Sequence, residues 1–146
     1  MSNSKHNARR RAVQALYSWR MTGNDLSDIE NLYLSEQDMK NVDKKYFKEL
    51  LHQVPKLSNE CESAIEALID RKIEDVDPVE LAILEIAYYE LTQRINVPYR
   101  VVINESVQLA KVFGAEESYK FVNGVVDKLA HRFRTVEVQA AIKVKQ

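Results

Sequence analysis

Residues 77–91 read DPVELAILEIAYYEL, and this stretch decides the fold class. Asp77 is suited to cap a helix, Pro78 to its first position, and Glu80 to reach back in a capping box. The body, Val79 to Leu91, is apolar on nearly every side. A helix of that kind has no face to give to water, so it must be central and packed on several neighbours. Working outward, the chain has only three Gly and three Pro, and its apolar residues recur at helical spacing nearly throughout. On the C-terminal side a sixth helix is expected from about Pro98 to Phe113-Gly114, with Val102, Ile103, Val107, Ala110 and Phe113 buried. A seventh runs from about Glu117 to Phe133, with Val122, Val125, Val126, Leu129 and Phe133 inward. On the N-terminal side a fourth starts near Ser58 or Asn59 and buries Cys61, Ala64, Ile65, Leu68 and Ile69. A third is capped by Asp43 and stopped by Pro55. A second spans about Leu26 to Ser35, with Ile29, Leu32 and Tyr33 inward. The first runs from about Asn7 to Met21, burying Ala8, Ala12, Ala15, Leu16 and Trp19, and Gly23 suits its left-handed cap. The tail, Thr135 to Gln146, reads equally as strand or frayed helix. The expectation is an all-α fold of about seven helices with short loops.

The totals bound the function. At 146 residues the chain is one domain, or two small subdomains sharing a core, and 45% hydrophobic residues suffice for that core. Twenty-one basic side chains against 22 acidic ones leave a net charge of −1, so any polyanion site must come from charge asymmetry. A lone cysteine, Cys61, excludes an intramolecular disulfide and a cysteine-cluster zinc site. Polar residues break every apolar run before it reaches membrane-spanning length, and no signal-peptide core follows the basic start. The chain is expected to be soluble and unexported, hence cytoplasmic.

The strongest asymmetry lies at the start. The first twenty residues hold Lys5, Arg9, Arg10, Arg11 and Arg20 and no acid. Cations at a helix N-terminus oppose the macrodipole, so another use is implied. Arg10, Gln14 and Tyr17 share one helical face, which offers forked donors to phosphate and a ring for an unpaired base. The alternative use of this face is a solvated helix start with Tyr17 covering the core edge. A second segment, ESYKFVNGVVDK at 117–128, has Lys120, Asn123 and Lys128 outward and Phe121 beside the buried stripe. Gly124 costs roughly 1 kcal/mol against Ala in a helix interior, and a close helix–helix approach would explain it. A third feature, Glu74, Asp75, Asp77 and Glu80, is either a capped, solvated helix start or a dock for a basic partner. Catalytic constellations are poor. His6, His52 and His131 lack ligand spacing, Glu116 and Glu117 do not face one site, and no nucleophile motif or glycine-rich phosphate loop occurs. The chain reads as a non-enzyme with no cofactor, no metal and no catalytic residue.

Three segments together resemble the NusB family of transcription antitermination factors: RRRAVQALYSW at 9–19, VELAILEIAYYEL at 79–91, and VPYRVVINESVQLAKVFGAEESYKFVNGVVDK at 97–128. The likeness runs from about Ala8 to Arg134. It implies two small packed helical bundles, one RNA-binding domain over 1–134, and a tail at 135–146 of open structure. It implies binding of single-stranded boxA RNA in nascent ribosomal RNA leaders, as a heterodimer with NusE, the small-subunit ribosomal protein. That pair would nucleate an antitermination complex with other Nus factors on RNA polymerase. Residue by residue it implies RNA contacts by Arg9, Arg10, Arg11 and Tyr17, and by Glu117, Lys120, Phe121 and Asn123. It places Glu80 on the NusE-facing surface. Leu57 to Val76 match poorly, so no contact is carried over there.

Three other readings compete. One is a stand-alone domain of the kind fused to ribosomal RNA cytosine methyltransferases; the chain has no glycine motif for the methyl donor. Another is a protein-only helical interaction module, which would not need the acid-free basic start. The last is a DNA-reading helix-turn-helix, but Asp43 and Glu49 dilute Lys44, Lys45 and Lys48.

Overall fold

The computed structural model describes residues 3–36, 38–114 and 117–145, which leaves Glu116 and Gln146 outside. Among these the chain forms eight α-helices and no strand: α1 (Asn3–Thr22), α2 (Leu26–Glu36), α3 (Lys44–Gln53), α4 (Ser58–Glu66), α5 (Pro78–Gln93), α6 (Tyr99–Phe113), α7 (Ser118–Phe133) and α8 (Thr135–Lys145). Short 3-10 turns occupy Val54–Leu57 and Ile73–Asp75. The chain divides into two compact units, Met1–Ser58 and Asn59–Gln146.

The first unit packs α1, α2 and α3 on one another. Ala8, Ala12, Ala15 and Leu16 are buried as their spacing requires, joined by Val13, while Trp19 is only half-buried. Gly23 adopts φ 71° and donates its N–H to the Trp19 carbonyl at 3.0 Å, the left-handed cap that favours glycine. Asp43 caps α3 by accepting the Tyr46 N–H at 2.9 Å, and its own N–H donates to Ser4 O at 3.1 Å, tying α3 to the start of α1. The Tyr46 N–H, and then the charge of Lys5, hold the Asp43 carboxyl below its ordinary range. Leu32 departs from expectation and stands 45% exposed. The face of α2 that meets its neighbours is centred on Ile29 and Tyr33, whose ring lies 6.1 Å from that of Phe47. Leu32 falls at the edge of that narrow stripe.

The second unit is built on α5, in which every residue from Leu81 to Leu91 is buried. It packs on α6 and α7, as a helix apolar on nearly every side must. Asp77 accepts the N–H groups of Val79 and Glu80 at 2.8 and 3.2 Å. Glu80 does not close a capping box: its carboxylate accepts the Ser118 hydroxyl at 2.6 Å and so holds the first turn of α7. Gly114 permits this geometry, because a Cβ there would lie 2.5 Å from Ser118 Cβ. At the other end of α5 the buried Arg134 donates to the carbonyls of Glu90, Leu91 and Arg94 at 3.0, 2.7 and 3.1 Å. These include carbonyls that a helix C-terminus leaves without partners. Arg134 also pairs with Glu137 at 2.7 Å, and Glu137 accepts the Tyr99 N–H at the start of α6 at 2.9 Å. The tail is therefore helical over Thr135–Lys145, anchored by Glu137 and the buried Val138. Tyr88 donates to Glu60 at 2.9 Å; burial, then Glu60, push its hydroxyl up to about 12.

α4 is shorter than expected. It ends at Glu66, and Leu68 and Ile69 sit half-buried in the turn that follows. The Glu66 carboxylate accepts the Ile73 N–H at 2.8 Å and closes that turn. A side chain bonding to the backbone seven residues on does the work that a glycine or proline would have announced.

Candidate nucleic-acid interface

The two candidate segments lie in different units, and each is built differently. On α1, Arg10 and Tyr17 are both exposed, Tyr17 at 37%, on the face their spacing assigns. Arg11 donates to Gln14 Oε1 and to the Asp38 carbonyl, both at 3.1 Å, and Asn7 donates to Asn41 O at 3.0 Å. The 38–42 turn is thereby laid along the helix. Asn7, Arg10, Arg11, Asp38 and Lys40 line a small cavity of about 210 Å³ between them. Three cations over so little volume make a surface for a phosphate, with room for little more.

Arg9 is the correction on this helix. Grouped with its neighbours as an RNA contact, it is instead 4% exposed, with its guanidinium 5.5 Å from the centre of the Tyr46 ring. The reason is helical phase. Arg9, Val13 and Leu16 fall on the buried stripe, so consecutive arginines point to different sides. Lys5 sits 4.6 Å from the same ring and 3.5 Å from Asp43, so it too is engaged within the unit.

In the second unit the segment at 117–128 forms the start and middle of α7. Asn123 and Lys128 are exposed and Phe121 is half-buried. Glu117 and Lys120 pair at 2.8 Å, which orients the ammonium but neutralises part of its charge. Beside them opens a cavity of about 620 Å³, bounded by the 67–71 turn and by Lys120, Phe121, Gly124, Val125 and Lys128. Arg71 reaches across it and places its guanidinium 4.1 Å from the centre of the Phe121 ring. Arg71 had no signal in the sequence. It lies in the stretch where the family likeness is poor, fifty positions from Phe121, and only the fold brings the two together. Gly124 also corrects an expectation. A Cβ there would meet nothing within 4 Å, so no neighbouring helix requires the glycine.

Glu80 is half-buried and bonded to Ser118, so its carboxylate is held in one direction. Among the described residues no three His, Cys, Asp or Glu side chains gather as a metal site. No described helix is long and apolar enough to cross a membrane.

Comparison with known proteins places this architecture. Residues 6–131 match the NusB family. The transcription antitermination protein NusB of Pseudomonas savastanoi pv. phaseolicola is 51% identical over 139 residues, 95% of this chain and 84% of that one. NusB of Shewanella halifaxensis is 50% identical over 132 residues, 90% of this chain and 98% of that one. The chain belongs to the NusB family. Among solved structures it superposes on NusB in a crystal structure of antitermination factors NusB and NusE in complex with dsRNA. The TM-score is 0.82 at 27% identity, over 91% of this chain and all of that one. NusB from T. maritima shares the fold, with a TM-score of 0.76 at 24% identity over 92% of this chain and 96% of that one.

Proposed function

We propose that this protein is an RNA-binding transcription antitermination factor that works in the cytoplasm without a catalytic step. It binds the boxA element of nascent ribosomal RNA leaders as a heterodimer with NusE. That pair nucleates an antitermination complex with the other Nus factors on RNA polymerase. The observation that carries the reading is the identity of 51% over 95% of the chain to a NusB named for this role. The likeness to a NusB crystallised with NusE and RNA supports both partners. Residues 1–134 serve as the RNA-binding domain, made of two helical subdomains.

Arg10 and Arg11 take phosphates and Tyr17 stacks a base on α1. Lys120, Phe121 and Asn123 form the other RNA face, with Glu117 orienting Lys120. Arg9 supports the α1 face from within the core. Alone the chain has few cations to spend and a net charge of −1, so its affinity is modest; NusE raises it by adding a second set of contacts. A gel shift with boxA RNA against a scrambled strand, single-stranded and duplex, with and without NusE, tests this. Selective binding of boxA strengthened by NusE is the expected result. Equal binding of both sequences under every condition leaves only generic electrostatics and overturns the boxA assignment. For the partner face, Glu80→Gln keeps an acceptor for Ser118 but removes the charge, so it should weaken NusE pull-down with helicity intact. Glu80→Lys should abolish it. Undiminished pull-down by both variants rejects Glu80 as a NusE contact.

A further inference from the structure

We infer that the cavity between the 67–71 turn and α7 receives a single unpaired nucleotide of the bound RNA, and that Gly124 is there to keep it open. The inference rests on the RNA-binding reading above and names an element of it, the 67–71 turn, that the likeness to the family left unassigned. Two independent features lead to it. The first is the lining. Arg71, Lys120 and Lys128 against Asp70 give this cavity, like the smaller one beside α1, a cationic excess on a chain whose net charge is −1. Its volume of about 620 Å³ falls within the ~300–1,000 Å³ of sites for small ligands, enough for a nucleotide and too little for a duplex. Arg71 already lies 4.1 Å from the centre of the Phe121 ring. A base stacked on the free side of that guanidinium would extend an existing ring–guanidinium stack, with phosphates between Lys128 and Lys120.

The second feature is Gly124. Glycine in a helix interior is less stable than alanine. This one has no positive φ, since among the described glycines only Gly23 does. It has no packing reason either, because a Cβ added to it meets open space. Gly124 itself lines the cavity, so a side chain there would stand at its wall. A side chain longer than a methyl would fill the space that a base needs.

The experiment measures affinity for single-stranded boxA RNA by fluorescence anisotropy across a salt series, with thermal melting of each variant. Gly124→Leu should lose roughly tenfold or more in affinity, the loss of one stacked base, while melting no lower than wild type. Arg71→Ala, which removes the plane on which the base stacks, should lower affinity several-fold, and Lys128→Gln should flatten the salt slope by about 0.7, one phosphate contact on a single strand. Duplex RNA, which has no unpaired base to insert, should bind Gly124→Leu as it binds wild type. Wild-type affinity of a folded Gly124→Leu overturns the inference, and so does wild-type affinity of Arg71→Ala together with an unchanged slope in Lys128→Gln. If Gly124→Leu unfolds, the two rim variants decide. Failure of the underlying reading looks different: the unmodified protein then shows no preference for boxA over the scrambled strand.

Discussion

α1 and α7 carry the two candidate RNA faces, and the two are built in opposite ways. α1 offers charge with little shape. Its cations stand over a cavity of about 210 Å³, and Arg11 is pinned by Gln14 and the Asp38 carbonyl. α7 offers shape with less free charge. Lys120 is paired to Glu117, but the helix walls a cavity of about 620 Å³ that holds a ring already stacked by a guanidinium. The difference teaches that a basic cluster positions a backbone, whereas a base needs a vacated volume beside an aromatic surface.

Substitutions can break or sharpen that contrast. The largest effect is expected from Phe121→Ala. Loss of one stacked base, ~1–3 kcal/mol, lowers boxA affinity about 5- to 150-fold with little change in salt slope. A slope that falls in step with affinity would make α7 a charge surface like α1. Arg9→Ala should cost about 1–3 kcal/mol of stability, because it strips a buried polar group from its setting under Tyr46; a denaturant melt measures this. RNA affinity at full folding should hold, and a loss there would return Arg9 to the RNA face. Arg10→Ala should lower affinity several-fold and reduce the slope by about 0.7, the signature of a phosphate contact. Tyr17→Ala should leave that slope unchanged. Gly124→Ala should raise stability by up to about 1 kcal/mol, because the methyl meets no neighbour and the helix gains propensity. A destabilised alanine variant would reveal a packing constraint on α7.

The smallest effect is on pH. The Asp43 carboxyl lies below its ordinary value in the folded state, chiefly through the Tyr46 N–H. Its contribution is therefore complete above the unfolded value near ~3.9, and it is lost as pH falls through the lower folded value. Because Asp43 joins the start of α3 to Ser4 and Lys5 of α1, mild acid should loosen the first unit before the second. Hydrogen exchange on α1 and α5 below pH 4 reads the order; equal loosening would remove Asp43 from that role.

Much of the fold was legible because it rests on local chemistry. Asp43 and Asp77 cap where side-chain oxygens can reach the next N–H groups. Gly23 takes the positive φ, and α5 is buried along its length as its composition demanded. The misreadings share a cause. Leu32, Leu68 and Ile69 are apolar residues whose periodicity continued past the point where a partner surface or a side-chain bond ended the pattern. Glu80 satisfied the spacing of a capping box, yet the hydroxyl of Ser118, 38 positions away, took its carboxylate.

Sequence by itself determined the first seven helices, their order, the family, and the segments that bear charge and rings. Spacing along one helix is enough to fix which residues share a face, and that put Arg10 with Tyr17. Tertiary structure decided what each face is for. It turned Arg9 inward beneath Tyr46, gave the tail its place through Arg134 and Glu137, and set Arg71 over Phe121. Those contacts join residues tens of positions apart, and chain spacing carries no information about which distant surfaces will close on each other. Packing alone settles that, because burying apolar area and satisfying polar groups must be achieved by the whole unit at once.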